Sequence, residues 1–410
     1  MASTLTYAYR GRDTSGKAVK GKVDAASEAQ VSSRLRTMGV SPTWIAEAPA
    51  GTGLNREISF GSLGAGRVGM KDIAVMTRQM ATMIAAGLSL LRTLTILSEQ
   101  TENKKLASVL DTVRSDVETG LSLSDAMAKH PVDFPPLMLS LIRAGETGGF
   151  LETSLESVAN NFEAEVKLAG TIKSALTYPV IVLIMAVLST VGMLIFIVPV
   201  FDAMFTQMGA TLPLPTQFLV VLSKSLVYIG PVAVVAIIAF VMWWRKNKNT
   251  DRVRKVADTI KLKLPVFGGL LAKVAISRVT RNLATMMGAG VPILRSLSIV
   301  GATAGSWVIE QALVKVQESV RQGNSIAGPL SQEPIFPSMV TQMIAVGEDS
   351  GALEVMLHKI SDFYDQEIES TTEQLTALIE PLMIAFIGIV IGGMIVALYM
   401  PIFDIFNHIN

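Results

Sequence analysis

Three stretches of this chain lose the alternation of polar and apolar positions altogether. Ser174 to Phe201, Ser225 to Trp244 and Pro381 to Phe403 contain no charged residue. Crossing the hydrocarbon core of a bilayer as a helix takes ~20 residues, and soluble core helices rarely stay uncharged for so long. The runs predict transmembrane helices at 175–201, 217–244 and 378–403. Elsewhere the pattern is helical and amphipathic. Met76, Met80, Met83, Ile84, Leu88 and Leu91 recur at three- and four-residue spacing, which marks one buried helix face. Gly87 and Gly290 follow such stripes and suit the left-handed position that ends a helix. Gly145-Glu146-Thr147-Gly148-Gly149 reads as a break between helices, with Thr147 as the cap of the next one. Pro179, Pro199, Pro381 and Pro401 bracket the spans, where proline would set helix entry and exit.

The N-terminal end has a different period. Leu5 to Tyr9 and Val19 to Val23 read as strands around a turn at Asp13 to Gly16. Ser27 to Met38 reads as a helix closed by Gly39. Residues 1–48 are therefore expected to form a small α+β module, and the glycine-rich stretch 49–69 a flexible linker.

The chain also repeats itself. Thr77 to Ile96 and Thr280 to Ile299 are identical at eleven of twenty positions at an offset of 203. AGETGGFLE at Ala144 matches VGEDSGALE at Val346, pairing Gly145 with Gly347 and Gly149 with Gly351. One residue is lost in the second copy before Phe336. The match runs on through Pro179 and Pro381 to Pro199 and Pro401. A period near 200 residues is a domain duplication and not a solenoid. The fold class that follows is mostly α: two duplicated helical-bundle domains, 70–174 and 245–377, each continuing into a span, with a further span between them.

Charge orients this arrangement. Asp202 to Thr216 and Asp404 to Asn410 hold no lysine or arginine, whereas Arg245, Lys246, Lys248, Arg252, Arg254 and Lys255 follow the second span. The positive-inside rule puts both large domains in the cytoplasm. The loop 202–216 and the tail 404–410 are then external. Met1 to Arg10 carries no apolar signal core, which leaves the N-terminus in the cytoplasm as well.

Composition removes much chemistry. The chain has no cysteine and a net charge of +1, so thiol catalysis is excluded and no basic field argues for nucleic acid. Gly11 to Lys17 fits G-x-x-x-x-G-K, but Ala18 stands where a phosphate loop needs Ser or Thr. The histidines are isolated in sequence, and no cofactor or metal site is read. Glu146 and Glu348 occupy matched places in the two repeats. They read either as partner-docking carboxylates or as anions at a helix N-terminus, the second being favoured. Glu380 starts the third span and reads as an interfacial residue. Gly388 and Gly392 form a G-x-x-x-G spacing that permits close helix packing.

These motifs are similar to those of the type II secretion F family. They are R-Q-x-A-T-x-x-x-A-G at Arg78, G-E-x-x-G-x-L at Gly145 and Gly347, A-L-x-Y-P at Ala175, E-P-x-M-I at Glu380, and P-x-F-D at Pro199 and Pro401. That family comprises inner-membrane platform proteins of type IV pili and type II secretion. The resemblance implies a non-enzymatic scaffold in the bacterial inner membrane. Its expected partners are a cytoplasmic hexameric assembly or retraction ATPase, pilin or pseudopilin, other inner-membrane assembly proteins, membrane lipid and further copies of itself. A transporter or channel built from repeats is the alternative. It is disfavoured because no charge lies deep in any span to mark a polar pathway.

Overall fold

The computed structural model describes residues 5–12, 18–25, 28–37, 41–47, 67–207, 212–248, 250–265 and 267–408. They fall into two compact units, Met1–Ala65 and Gly66–Asn410.

The small unit comprises β1 (Leu5–Arg12), β2 (Ala18–Ala25), α1 (Glu28–Thr37) and β3 (Ser41–Glu47). Its antiparallel sheet has the order β2-β1-β3, and Arg12 lies opposite Ala18 where the hairpin closes. A strand thus follows the G-x-x-x-x-G-K segment, where a phosphate loop would need a helix. Val31 and Leu35, one turn apart on α1, are buried. The third strand is not expected from the sequence, because SPTWIAE shows no alternation. The expected turn at Asp13 to Gly16, Gly39 and most of the 49–69 linker lie outside the described residues.

The large unit starts with α2 (Met70–Ala85), α3 (Leu90–Gln100), α4 (Lys104–Glu118), α5 (Leu123–Ala128) and α6 (Pro136–Gly148). Local chemistry bounds these helices. Ser89, Asn103 and Ser122 accept N-terminal backbone N–H groups of α3, α4 and α5. Gly87 and Gly290 take positive φ, as expected. α7 (Leu151–Gly192) then runs through a π-helical turn at Met193–Ile197 into α8 (Val198–Gln207). The result is one helix of 57 residues, about 85 Å long at 1.5 Å per residue. α9 (Leu214–Asn247) leads back, and α10 (Asp251–Lys263) introduces the second repeat. That repeat is α11 (Phe267–Gly288), α12 (Ile293–Thr303), α13 (Trp307–Arg321), α14 (Ala327–Ser331) and α15 (Ser338–Ser350). It ends in α16 (Leu353–Ile387), a π-helical turn at Gly388–Gly392 and α17 (Gly393–His408).

One apolar core runs through both repeats, from Met80, Leu110 and Phe134 to Leu283, Leu313 and Phe336. A second cluster unites Leu194 and Val198, Leu219 and Val220 of α9, and Met394, Ala397 and Leu398 of α17. Beyond that cluster α9 is exposed on every side from 231 to 243. A helix that is apolar all round and unpacked has only lipid as a suitable solvent.

Two expectations are corrected here. Pro179, Pro381 and Pro401 lie inside helices, and Pro199 is the second residue of α8 within the continuous 57-residue helix. The chain does not start or stop at Pro199 and Pro401 because tertiary hydrogen bonds replace those they remove. The glycine motif is also not one long break. Gly145, Glu146 and Thr147 are still within α6, and Thr147 donates its hydroxyl to Arg143 O instead of capping α7.

Candidate functional site: the repeat seam and the membrane hinge

The motif G-E-x-x-G separates into three roles. Gly149 and Gly351, at φ 76° and 69°, make the left-handed turns that end α6 and α15, where a Cβ would be strained. Gly145 and Gly347 are helical and conserve space. A Cβ at Gly145 would stand 2.4 Å from Ser154 Oγ, and one at Gly347 2.9 Å from Leu353 Cα. These two glycines let α6 close on α7 and α15 close on α16.

The carboxylates hold a more distant element. Leu123 and Ser124 donate their backbone N–H groups to Glu146 at 2.5 and 2.9 Å. Ile326 and Ala327 do the same to Glu348 at 2.6 and 2.9 Å. Each carboxylate thus satisfies the open N-terminus of the short helix, α5 or α14, that lies 21 to 23 residues earlier. An anion is favoured at such a place by the helix dipole and by charge-assisted hydrogen bonding. Both side chains are half-buried.

The repeats meet along α7, α11 and α16. Arg278 pairs with Glu165 at 2.6 Å. Asn161 donates to Asn282 Oδ1 at 2.9 Å and to Thr285 Oγ1 at 3.3 Å. An open crevice of about 450 Å³ runs beside this seam, lined by Asn160, Asn161, Arg281, Glu354, His358 and Asp362 among others. Arg281 pairs with Asp365 inside the second repeat. Its counterpart Arg78 pairs with Glu163 at 2.6 Å. The hydrogen bond from Arg78 holds the Glu163 carboxyl below its ordinary range, and Glu163 raises Arg78 in turn. The sequence carried a signal for both pairs, because arginine and an acid recur at matched positions. Nothing in it pointed to Asn161 or Glu165, whose partners lie more than a hundred residues away.

In the membrane the lost proline donors find replacements. Pro401 has no N–H for the carbonyl four residues earlier, Ala397, and Thr216 donates its hydroxyl there. In the first span Val198 N–H bonds Met193 O in π register. Leu194 O would then look to Pro199, which has no hydrogen, and Ser223 donates to it at 2.5 Å. Thr216 and Ser223 lie two turns apart on α9, so one face of this helix serves both repeats. Lys224 adds an ion pair to Asp202 at 3.0 Å.

Gly388 and Gly392 sit in the π-helical turn of the third span, and a Cβ at either would meet nothing within 4 Å. Among the described residues no other helix packs against these two glycines, whereas Val390 and Ile391 of the same turn face the membrane cluster. Glu380 and Tyr178 are both exposed. Among the described residues no group of three or more His, Asp or Glu is placed to hold a metal ion.

Comparison with known proteins follows the same division of the chain. Residues 76–199 and 279–401 each match the family described as type II secretion system protein F, and residues 1–46 match its N-terminal domain. A type IV pilus assembly protein PilC of Myxococcus xanthus is 41% identical over 409 residues, covering 100% of this chain and 97% of the relative. The PilC of Thermus thermophilus is 40% identical over 98% of this chain and 99% of its own. A type II secretion system protein F of Vibrio cholerae is 30% identical, covering 98% of both chains.

Proposed function

Since the chain belongs to the type II secretion system protein F family, we propose that it is the inner-membrane platform of a type IV pilus or type II secretion machine. In this role it is a scaffold and not an enzyme. A cytoplasmic hexameric ATPase grips the two helical domains, and its motion drives insertion or removal of pilin or pseudopilin beside the spans. Other inner-membrane assembly proteins and further copies of the chain complete the assembly. The domains 70–174 and 245–377 lie in the cytoplasm, the loop 202–216 and the tail 404–410 outside.

One observation carries this reading. Each helical bundle is joined to its span by an unbroken helix, Leu151–Gln207 in the first repeat and Leu353–Pro401 in the second. The part of each helix that leaves the bundle, 151–178 in the first repeat and 353–380 in the second, holds neither proline nor π turn. It therefore transmits rotation or tilt of the bundle to the membrane surface, because bending it means breaking consecutive backbone hydrogen bonds. Glu146 and Glu348 stand at the glycine corners where that helix leaves the bundle and hold α5 and α14 there. We assign to these corners the docking of the ATPase.

The test is mechanical. Four residues, Gly-Ser-Gly-Ser, are inserted after Ala169 in a deletion strain complemented with the full chain. Membrane insertion and protein level should be normal while pilus assembly or secretion is lost and the ATPase still co-purifies. Full activity with the flexible joint would refute coupling through the helix. Solute flux in proteoliposomes would replace the platform reading with a transporter.

A further inference from the structure

We infer that a second copy of this chain docks its α16 on the exposed α2 face of the first repeat, repeating between molecules the seam that α7 makes on α11 within one. This deepens the self-association proposed above and rests on it.

The argument starts from a difference between two equivalent helices. α2 and α11 share the motif T-R-x-x-A-T. In α11 the positions Asn282 and Thr285 are buried at 4% and 8% exposure, since Asn161 of α7 lies over them. In α2 the counterparts Gln79 and Thr82 are exposed, as are Lys71 and Val75 on the same stripe. α2 is therefore a second example of the same docking surface, uncovered.

The surface that would cover it is also present twice. α7 presents Asn161 and Glu165 to α11. The matched residues of α16 are Phe363 and Glu367. Phe363 is 41% exposed where Asn161 is 3% exposed. Within one chain the two repeats do not use these surfaces reciprocally. α7 approaches both α11 and α16, and α16 makes no comparable approach to α2. The contact is heterologous, so it leaves one unused face at each end, and such contacts continue from molecule to molecule until a ring closes.

The transferred contact is apolar where the internal seam has an ion pair. Phe363 would lie over Gln79 and Thr82 beside Val75, which is 47% exposed. Glu367 stays on Lys273, its partner at 2.8 Å within the second repeat, because Val75 stands where Arg278 stands in α11 and offers no charge. A buried amide pair within the chain becomes an aromatic contact between chains, the residue type enriched at protein interfaces.

The chain has no cysteine, which allows a direct test in membranes. Two differently tagged full-length copies are co-expressed, one with Gln79→Cys and the other with Phe363→Cys, and oxidised. A mixed-tag disulfide dimer is expected, with none from either variant alone. Asn161→Cys with Asn282→Cys in one chain is the control and should link internally. A control that links while the mixed pair does not would overturn the inference. So would a single variant that links to itself, which would mean a symmetric contact. Tagged copies that fail to co-purify at all would remove the self-association itself.

Discussion

Thr216 donates its hydroxyl to the backbone carbonyl of Ala397, the group that Pro401 leaves without a donor. Ser223 does the same for Leu194 O ahead of Pro199. Helix α9 is thus the common partner of both repeats in the membrane. Thr216→Val keeps shape and removes the donor, and it should cost about 0.6–1.7 kcal/mol, the range of interhelical hydrogen bonds in a bilayer. Thr216→Ser should recover most of that loss. Unfolding by SDS titration in mixed micelles measures both.

Glu146 and Glu348 each take two backbone N–H groups. Glu146→Gln leaves one acceptor and sets an amide N–H₂ against a donor. A loss of about 1.5–3 kcal/mol is expected, the worth of hydrogen bonds to a charged group. Pulse proteolysis of the purified full chain should detect it. If the corners also dock the ATPase, the Gln variant should lose co-purification at temperatures where it is fully folded. Wild-type pulldown from folded protein would leave the residues a purely structural role.

Gly145→Ala and Gly347→Ala should each cost about 1–3 kcal/mol, because the new methyl must displace α7 or α16 from a closed contact. Gly388→Ala and Gly392→Ala meet open space within the chain and should leave the stability of an isolated copy unchanged. A drop in co-purification of differently tagged copies with these variants would place another molecule at that turn. An unchanged yield would exclude it.

The two matched ion pairs should differ sharply. The side chains of Arg281 and Asp365 are 10% and 33% exposed, against 35% and 45% for Arg78 and Glu163. Arg281→Met strands a partly buried carboxylate and should approach the ~3–5 kcal/mol lost when one member of a buried pair is removed. Arg78→Met should cost under ~1 kcal/mol, as exposed pairs do. Glu163, whose folded pKa is lowered, contributes stability above its unfolded pKa and loses it as pH falls through the folded value. Thermal unfolding in detergent at neutral pH and near pH 4 would show this small acid-side loss, and Arg78→Met should abolish it.

Orientation is open to the same cysteine-free chain. Gln207→Cys, exposed at the end of α8, should react with an impermeant thiol reagent applied from outside. Ser108→Cys and Asn324→Cys, exposed on the helical domains, should react only after lysis. The reverse pattern would invert the topology.

Sequence alone was sufficient for the features that repeat locally. An uncharged run of span length, a stripe at three- and four-residue spacing and a glycine at a left-handed turn each act through their own neighbours. The spans, the helical domains, Gly87 and Gly290 were legible for that reason, and Gly149 only as part of a break between helices. So was the duplication, which needs only comparison of the chain with itself. Tertiary structure decided what depends on a distant partner. Pro199 and Pro401 read as helix ends because proline removes a hydrogen bond, and they are helix interiors because α9 returns one. Gly145 reads as a turn because it lacks a side chain, and it is helical because α7 occupies the space. Glu146 and Glu348 read as caps or docking groups, and the structure gives them a helix N-terminus more than twenty residues away. Asn161 and Asn282 had no local signal at all, since a buried amide pair 121 residues apart exists only once two bundles have closed on each other.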